Sequence, residues 1–254
     1  VSDVMGHRVA ARTWLWWCPV PADRSPDPTP DPDPTGAELG AVSPARRAQG
    51  AAARYALLEG LGRLGLIPDG PDRAARTGLT GPGAVRRVTW DGRPVGAGVQ
   101  FSLAHTARWA LAAVRQADGA PTGFGVDAED DWDGAARNLH RFATPAELDV
   151  LAAALPERPE PAGPVPVHLW CAKEALSKAT GRGFVVAPRR YRLQPGTDPA
   201  HPLLLAVDAP RQAEAPRCVQ VRAGTRRVLP PTAWAVAEYP LRSTEHEGNE
   251  ASQP

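Results

Sequence analysis

The sequence predicts an α+β chain in two parts, each holding one main helix and several strands. Three observations carry this. A long segment opening at Ser43-Pro44 places Leu57, Leu58, Leu61 and Leu64 at helical spacing, and the stretch from Trp170 to Lys178 reads as a second helix near the other end. Short runs rich in apolar and aromatic residues accompany each helix. The turn-forming run Asp118 to Thr122 falls between them. The expected organisation is a first part over residues 1–118, a second over 119–240, and a polar, disordered tail over 241–254.

Taken in order, Val9 to Val20 is expected to be one aromatic-rich strand. Residues 21–36 are Pro/Asp low complexity, with proline at every second position from Pro26 to Pro34, and are expected to form an unpacked loop. Ser43 caps the first helix, and Pro44 suits its first turn. Gly65 to Gly83 is expected to be a connection with one short helix. Val85 to Trp90 reads as a strand, followed by an Asp91-Gly92 turn. Trp109 to Val114 is another strand, and Gly123 to Glu129 opens the second part. Asp133 to Phe142 looks helical. Pro145 to Ala154 follows as a helix, with Thr144 and Glu147 spaced as a capping box. After the Trp170 helix, which should end near Gly181 or Gly183, strand-like pieces lie at Arg190–Leu193, Leu203–Val207, Cys218–Val221 and Ala233–Tyr239.

Composition narrows the function. The formal net charge of the 254 residues is +1, so nothing global points to nucleic acid or to an anionic membrane. Any anion must be held by local basic residues. The 3 cysteines, Cys18, Cys171 and Cys218, are too few and too scattered for a disulfide framework or a paired zinc site. His168 and Cys171 lie three apart but lack a second pair of ligands. The apolar run Trp14 to Cys18 is too short to span a bilayer, and it is rejected as a signal segment. A soluble protein of a reducing cytoplasm, acting as a monomer, is the expectation.

The candidate chemistry lies on two elements. On a strand, Asp127 and Glu129 project to the same face. On a helix, Glu174 and Lys178 share a face, with Trp170 one turn before. Three carboxylates with room for water and phosphate oxygens suit Mg²⁺, Mn²⁺ being possible. Lys178 is then placed for a phosphate oxygen. A polar strand end and a solvated ion pair are the plain alternatives.

These segments resemble the paired signature of the 4′-phosphopantetheinyl transferase superfamily, GVDxE and WxxKEAxxK. The order and length are similar to the longer, two-half type that activates surfactin synthetase. Phe101-Ser102-Leu103-Ala104-His105-Thr106 resembles that family's F-x-x-S-H-S segment. Arg141-Phe142-Ala143-Thr144-Pro145-Ala146-Glu147 resembles R-F-F-S-P-A-E, and Gly92-Arg93-Pro94 resembles G-K-P. The match runs from about Asp91 to Gly183; Ala104 and Thr106 stand where the family pattern has serines.

The resemblance implies two similar α+β halves about a pseudo-twofold, each a main helix on a small antiparallel sheet, with coenzyme A between them. It implies transfer of the 4′-phosphopantetheine arm of coenzyme A to a serine of an apo acyl, polyketide or peptidyl carrier, releasing 3′,5′-ADP. Asp127, Glu129 and Glu174 would hold the metal. Arg54, Arg93, His105, Thr106, Lys173 and Lys178 would bind coenzyme A, His105 through its 3′-phosphate. Arg46 and Arg47 are weaker phosphate candidates, and a solvent-facing Lys173 is weighed evenly against a binding one. Glu174, through a water, or Glu147 would take the serine proton. Phe142 to Pro166 would dock the carrier. A non-catalytic relative that binds coenzyme A or a carrier, and a metal-dependent phosphohydrolase, are the competing readings.

Overall fold

The computed structural model describes residues 4–21, 43–80, 86–96, 98–116, 122–154, 166–181, 187–198, 201–207, 217–226 and 231–240. Most of the Pro/Asp-rich run, most of the proline-rich connection before the second main helix, Gly183 and the C-terminal tail lie outside these residues. The fold is α+β.

The first sheet is built from β1 (Met5–Ala10), β2 (Thr13–Pro19), β3 (Thr77–Thr80), β4 (Arg87–Trp90), β5 (Arg93–Pro94), β6 (Val99–His105) and β7 (Trp109–Gln116). Its order is β1-β2-β7-β6-β4-β3, with β5 on β4, and every pairing is antiparallel. The single aromatic strand expected over 9–20 is in fact the second arm of a hairpin that begins at Met5. The first arm, MGHRVA, is mostly exposed and does not alternate apolar with polar residues, so it carries no strand signal. Likewise the segment of β3 is expected to be loop; the strand is only 4 residues long and partly exposed.

Helix α1 (Pro44–Arg63) lies on this sheet. The Ser43 hydroxyl accepts the Arg46 amide at 3.3 Å, as the capping signal predicts. A short α2 (Arg73–Arg76) follows.

The second sheet comprises β8 (Thr122–Glu129), β9 (Tyr191–Asp198), β10 (His201–Val207), β11 (Arg217–Arg226) and β12 (Thr232–Pro240), in the antiparallel order β8-β12-β11-β10-β9. Helices α3 (Trp132–Arg137), α4 (Leu139–Phe142), α5 (Pro145–Ala154) and α6 (Pro166–Thr180) belong to this part. The helix expected over 133–142 is thus two short pieces, broken at Asn138. Helix α6 begins a full turn before Trp170, and Gly181, with φ +68°, ends it.

Strand alternation stacks these elements in four layers. On β2 and β7, Trp16, Cys18, Ala110, Ala112 and Val114 face α1, while Leu15, Trp17, Leu111 and Ala113 face the second sheet. On β8, Phe124, Val126 and Ala128 meet them. The other face of the second sheet, with Ala233, Ala235 and Ala237 of β12, packs on Ala172, Ala175, Leu176 and Ala179 of α6. The layers run α1, first sheet, second sheet, α6.

One glycine sets the depth of α6. A Cβ at Gly125 would lie 2.0 Å from the Ala175 carbonyl oxygen and 2.6 Å from the Ala179 amide. Only hydrogen at that position lets the helix backbone close onto β8. The same strand face carries Asp127 and Glu129, so Gly125 brings α6 down beside both carboxylates.

Candidate active site

The free edge of β8 meets β6, and the candidate site forms along that seam. The Val126 amide donates to the Ser102 hydroxyl at 3.0 Å. Lys178 reaches to the same place from α6. Its Nζ lies 2.8 Å from Asp127 Oδ1, 3.0 Å from the Val126 carbonyl and 3.5 Å from the Leu103 carbonyl. One ammonium therefore holds both β6 and β8.

Glu174, one turn back on α6, faces the same group. Burial first, then the neighbouring Asp127 charge, pushes its carboxyl up to about 7; Lys178 opposes the rise and Glu129 adds to it. Glu129 is also pushed up, mainly by burial, although the Asp130 and Asp131 amides donate to its Oε1 at 2.8 and 2.9 Å. The buried Asp130 Oδ2 has no hydrogen-bonding partner among the described residues. The three carboxylates thus repel one another with one lysine among them.

This arrangement fits a hard divalent cation in donor chemistry and in charge. Among the described residues, however, no three ligating side chains close on a single point. Asp127 leans on Lys178, and Glu129 folds back on the turn that follows it.

His105 ends β6 on the α1 side of the seam. Its pKa is lowered, by burial first and then by the charges of Arg46 and Lys178; Asp127 opposes this. The start of α1 is tied there by Gln49, whose Nε2 donates to the Thr106 carbonyl at 3.0 Å. The positive charges of Arg46 and Lys178 around the His105 ring make an anion-attracting edge.

Of the other expected residues, Arg54 and Arg93 lie away from His105 along their own elements, and Thr106, next to His105, has its hydroxyl engaged in the turn. Arg54 lies eight residues beyond Arg46 on α1, about 12 Å along the helix. Arg93 is exposed on β5; the antiparallel register Arg87↔Gln100 carries that hairpin away from the His105 end of β6. Thr106 is buried, and its hydroxyl accepts the Arg108 and Trp109 amides, both at 3.1 Å, which shapes the β6–β7 turn.

Lys173 and Glu147 meet each other instead. The expected alternative of a solvent-facing Lys173 is overturned, since the side chain is fully buried with Nζ 2.7 Å from Glu147 Oε1. Burial lowers the Lys173 pKa, and Glu147 partly offsets it. Glu147 also completes the predicted capping box: its Oε2 accepts the Thr144 amide at 3.0 Å.

Ser102, Gln49 and Arg46 are the seam residues that sequence reasoning passed over or ranked low. Only the position of Ser102 before His105 hinted at its place, and nothing in the residues around Gln49 did.

Residues 123–216 match the family model of the 4′-phosphopantetheinyl transferase superfamily. That segment spans less than half of the chain and includes Asp127, Glu129, Glu147, Lys173, Glu174 and Lys178. Over those residues the chain is similar to that superfamily, and the match speaks for phosphopantetheinyl transfer in general. No curated protein matches the chain.

Proposed function

We propose that this protein transfers the 4′-phosphopantetheine arm of coenzyme A to a serine of an apo carrier protein or carrier domain. The carrying observation is the Glu174 carboxyl, raised to about 7 by burial first and then by the neighbouring Asp127 charge, beside Lys178 and facing the seam that His105 borders. Such a group calls for a divalent cation, and the anion-attracting edge calls for phosphate.

In this reading the serine oxygen forms a bond to the β-phosphorus of coenzyme A. The pyrophosphate P–O bond breaks, and 3′,5′-ADP leaves with the electron pair. Asp127, Glu129 and Glu174 would hold Mg²⁺ or Mn²⁺. The metal, when bound, neutralises charge on the pyrophosphate. Lys178 exchanges one of its protein acceptors for a pyrophosphate oxygen, to which it donates. His105, with Arg46 behind it, binds the 3′-phosphate. Glu174 is the acceptor for the serine proton, directly or through a water, because a carboxylate near neutrality matches that task.

Intact-mass spectrometry tests this with apo acyl, polyketide and peptidyl carriers, coenzyme A and Mg²⁺. The expected result is a gain of one phosphopantetheine on at least one carrier, abolished by EDTA and by Asp127→Ala. No gain on any carrier, or full activity in excess EDTA, would count against it.

A further inference from the structure

Lys173 and Glu147 make more bonds than an ion pair requires. Lys173 Nζ contacts Glu147 Oε1 and the Phe142 carbonyl. The same Oε1 accepts the Leu193 amide at 3.1 Å, and Oε2 accepts the Thr144 amide and hydroxyl at 3.0 and 2.9 Å. One buried pair therefore joins α6, the end of α4, the start of α5 and β9. Trp170 adds to the joint, its ring edge-on to Phe142 at 5.1 Å.

Lys173 and Glu174 are neighbours on α6, about 100° apart around its axis. Whatever fixes the one direction fixes the other. The Gly125 contact sets how deeply α6 lies on β8, and Lys178 ties the helix to β8 one turn beyond Glu174; the Lys173 pair is a second anchor, on the turn that carries Glu174 itself. A turn of about 20° at a side-chain radius of about 5–6 Å would sweep the Glu174 carboxylate by about 2 Å. A misplacement of about half that can cost about a hundredfold in rate.

We propose that Lys173 and Glu147 are a positioning pair, which locks the rotation of α6 so that Glu174 faces Asp127 and Glu129, and that neither touches coenzyme A or the carrier serine. The consequence for rate rests on the transferase reading; the structural role does not. The proposal also assigns the proton to Glu174 and removes Glu147 as its acceptor.

The test compares the wild type with Lys173→Met, Glu147→Gln and the double variant Lys173→Met/Glu147→Gln. Three quantities are read: thermal unfolding, Mn²⁺ affinity without substrate, and kcat and KM for transfer. Lys173→Met leaves a buried carboxylate unpaired, so it should unfold earliest and bind Mn²⁺ at least about tenfold more weakly. The double variant removes both charges and keeps their shape. It should recover most of the melting temperature and Mn²⁺ affinity lost by Lys173→Met, the Gln amide filling only one of the two acceptor positions of Glu147, and bring kcat to within about tenfold of the wild type.

A double variant that folds and binds Mn²⁺ normally but turns over about a thousandfold slower would overturn the proposal. So would a raised KM for coenzyme A that persists in it, since Lys173 would then touch the substrate. Glu147→Gln supplies a second arm should the double variant not fold. A positioning carboxylate leaves the shape of the pH profile of kcat/KM unchanged, whereas loss of its acidic limb would make Glu147 the base. Absence of transfer by the wild type would sink only the transferase reading, because Mn²⁺ affinity and unfolding report on the pair without turnover.

Discussion

Lys178 Nζ stands 2.8 Å from Asp127 Oδ1, and that contact pins the second main helix to the strand carrying the carboxylates. The Leu103 and Val126 carbonyls accept from the same ammonium, so it also joins the two sheets. Lys178 is at once a charge for the site and a link across the seam.

Glu174 and Lys178 should therefore fail differently. Glu174→Gln keeps shape but loses charge, and kcat is expected to collapse at any coenzyme A concentration. Lys178→Met removes a charge-assisted contact worth about 1.5–3 kcal/mol, a roughly tenfold to hundredfold loss of kcat/KM, shared between KM for coenzyme A and kcat. Lys178→Arg keeps charge but changes reach, so partial recovery is expected. Steady-state kinetics on one working carrier checks all three. Wild-type turnover by Glu174→Gln would mean that the Glu174 charge neither holds the metal nor takes the proton.

Ser102→Ala should destabilise the junction between the sheets. Ser102 is buried, and its hydroxyl accepts the Val126 amide at 3.0 Å. Without it a buried N–H on the free edge of β8 loses its partner, at a cost of about 1–3 kcal/mol. Urea unfolding should show a lower midpoint at an unchanged slope. An unchanged midpoint would mean that another acceptor replaces the hydroxyl.

His168 should make stability fall in acid. It is 1% exposed at the start of α6, its Nε2 is 2.8 Å from Thr225 Oγ1, and the Trp132 ring meets it edge-on. Burial lowers its pKa from 6.5 to about 4. Below 6.5 the unfolded chain takes up the proton first, so the contribution is full above that pH and is lost as the pH falls toward 4. The loss at about pH 5 is about 2 kcal/mol relative to about pH 7.5. His168→Gln should flatten this part of the stability profile in urea titrations at the two pH values. A variant with the same pH dependence as the wild type would show that other groups carry it.

Local order accounts for what the residues alone revealed. The Ser43 cap, the Thr144–Glu147 capping box and the Gly181 stop are contacts within one turn, so they are visible in a few consecutive letters. The same holds for Asp127 and Glu129 on one strand face, and for Glu174 and Lys178 on one helix face. The metal-site candidates were legible because each pair obeys the period of its own element.

Tertiary structure decided which of several equivalent residues reach the seam. Sequence spacing treats Lys173 and Lys178 alike; packing buries the first against Glu147 and lays the second across β6 and β8. It also brings the charge of Arg46 to bear on His105, while Arg54 lies about 12 Å further along α1 and Arg93 follows its hairpin away from the His105 end. These outcomes depend on the depth of α6 over Gly125 and on the register between strands far apart in the chain. Such long-range contacts are set by the sum of many weak packing terms, and no short stretch of sequence holds that sum.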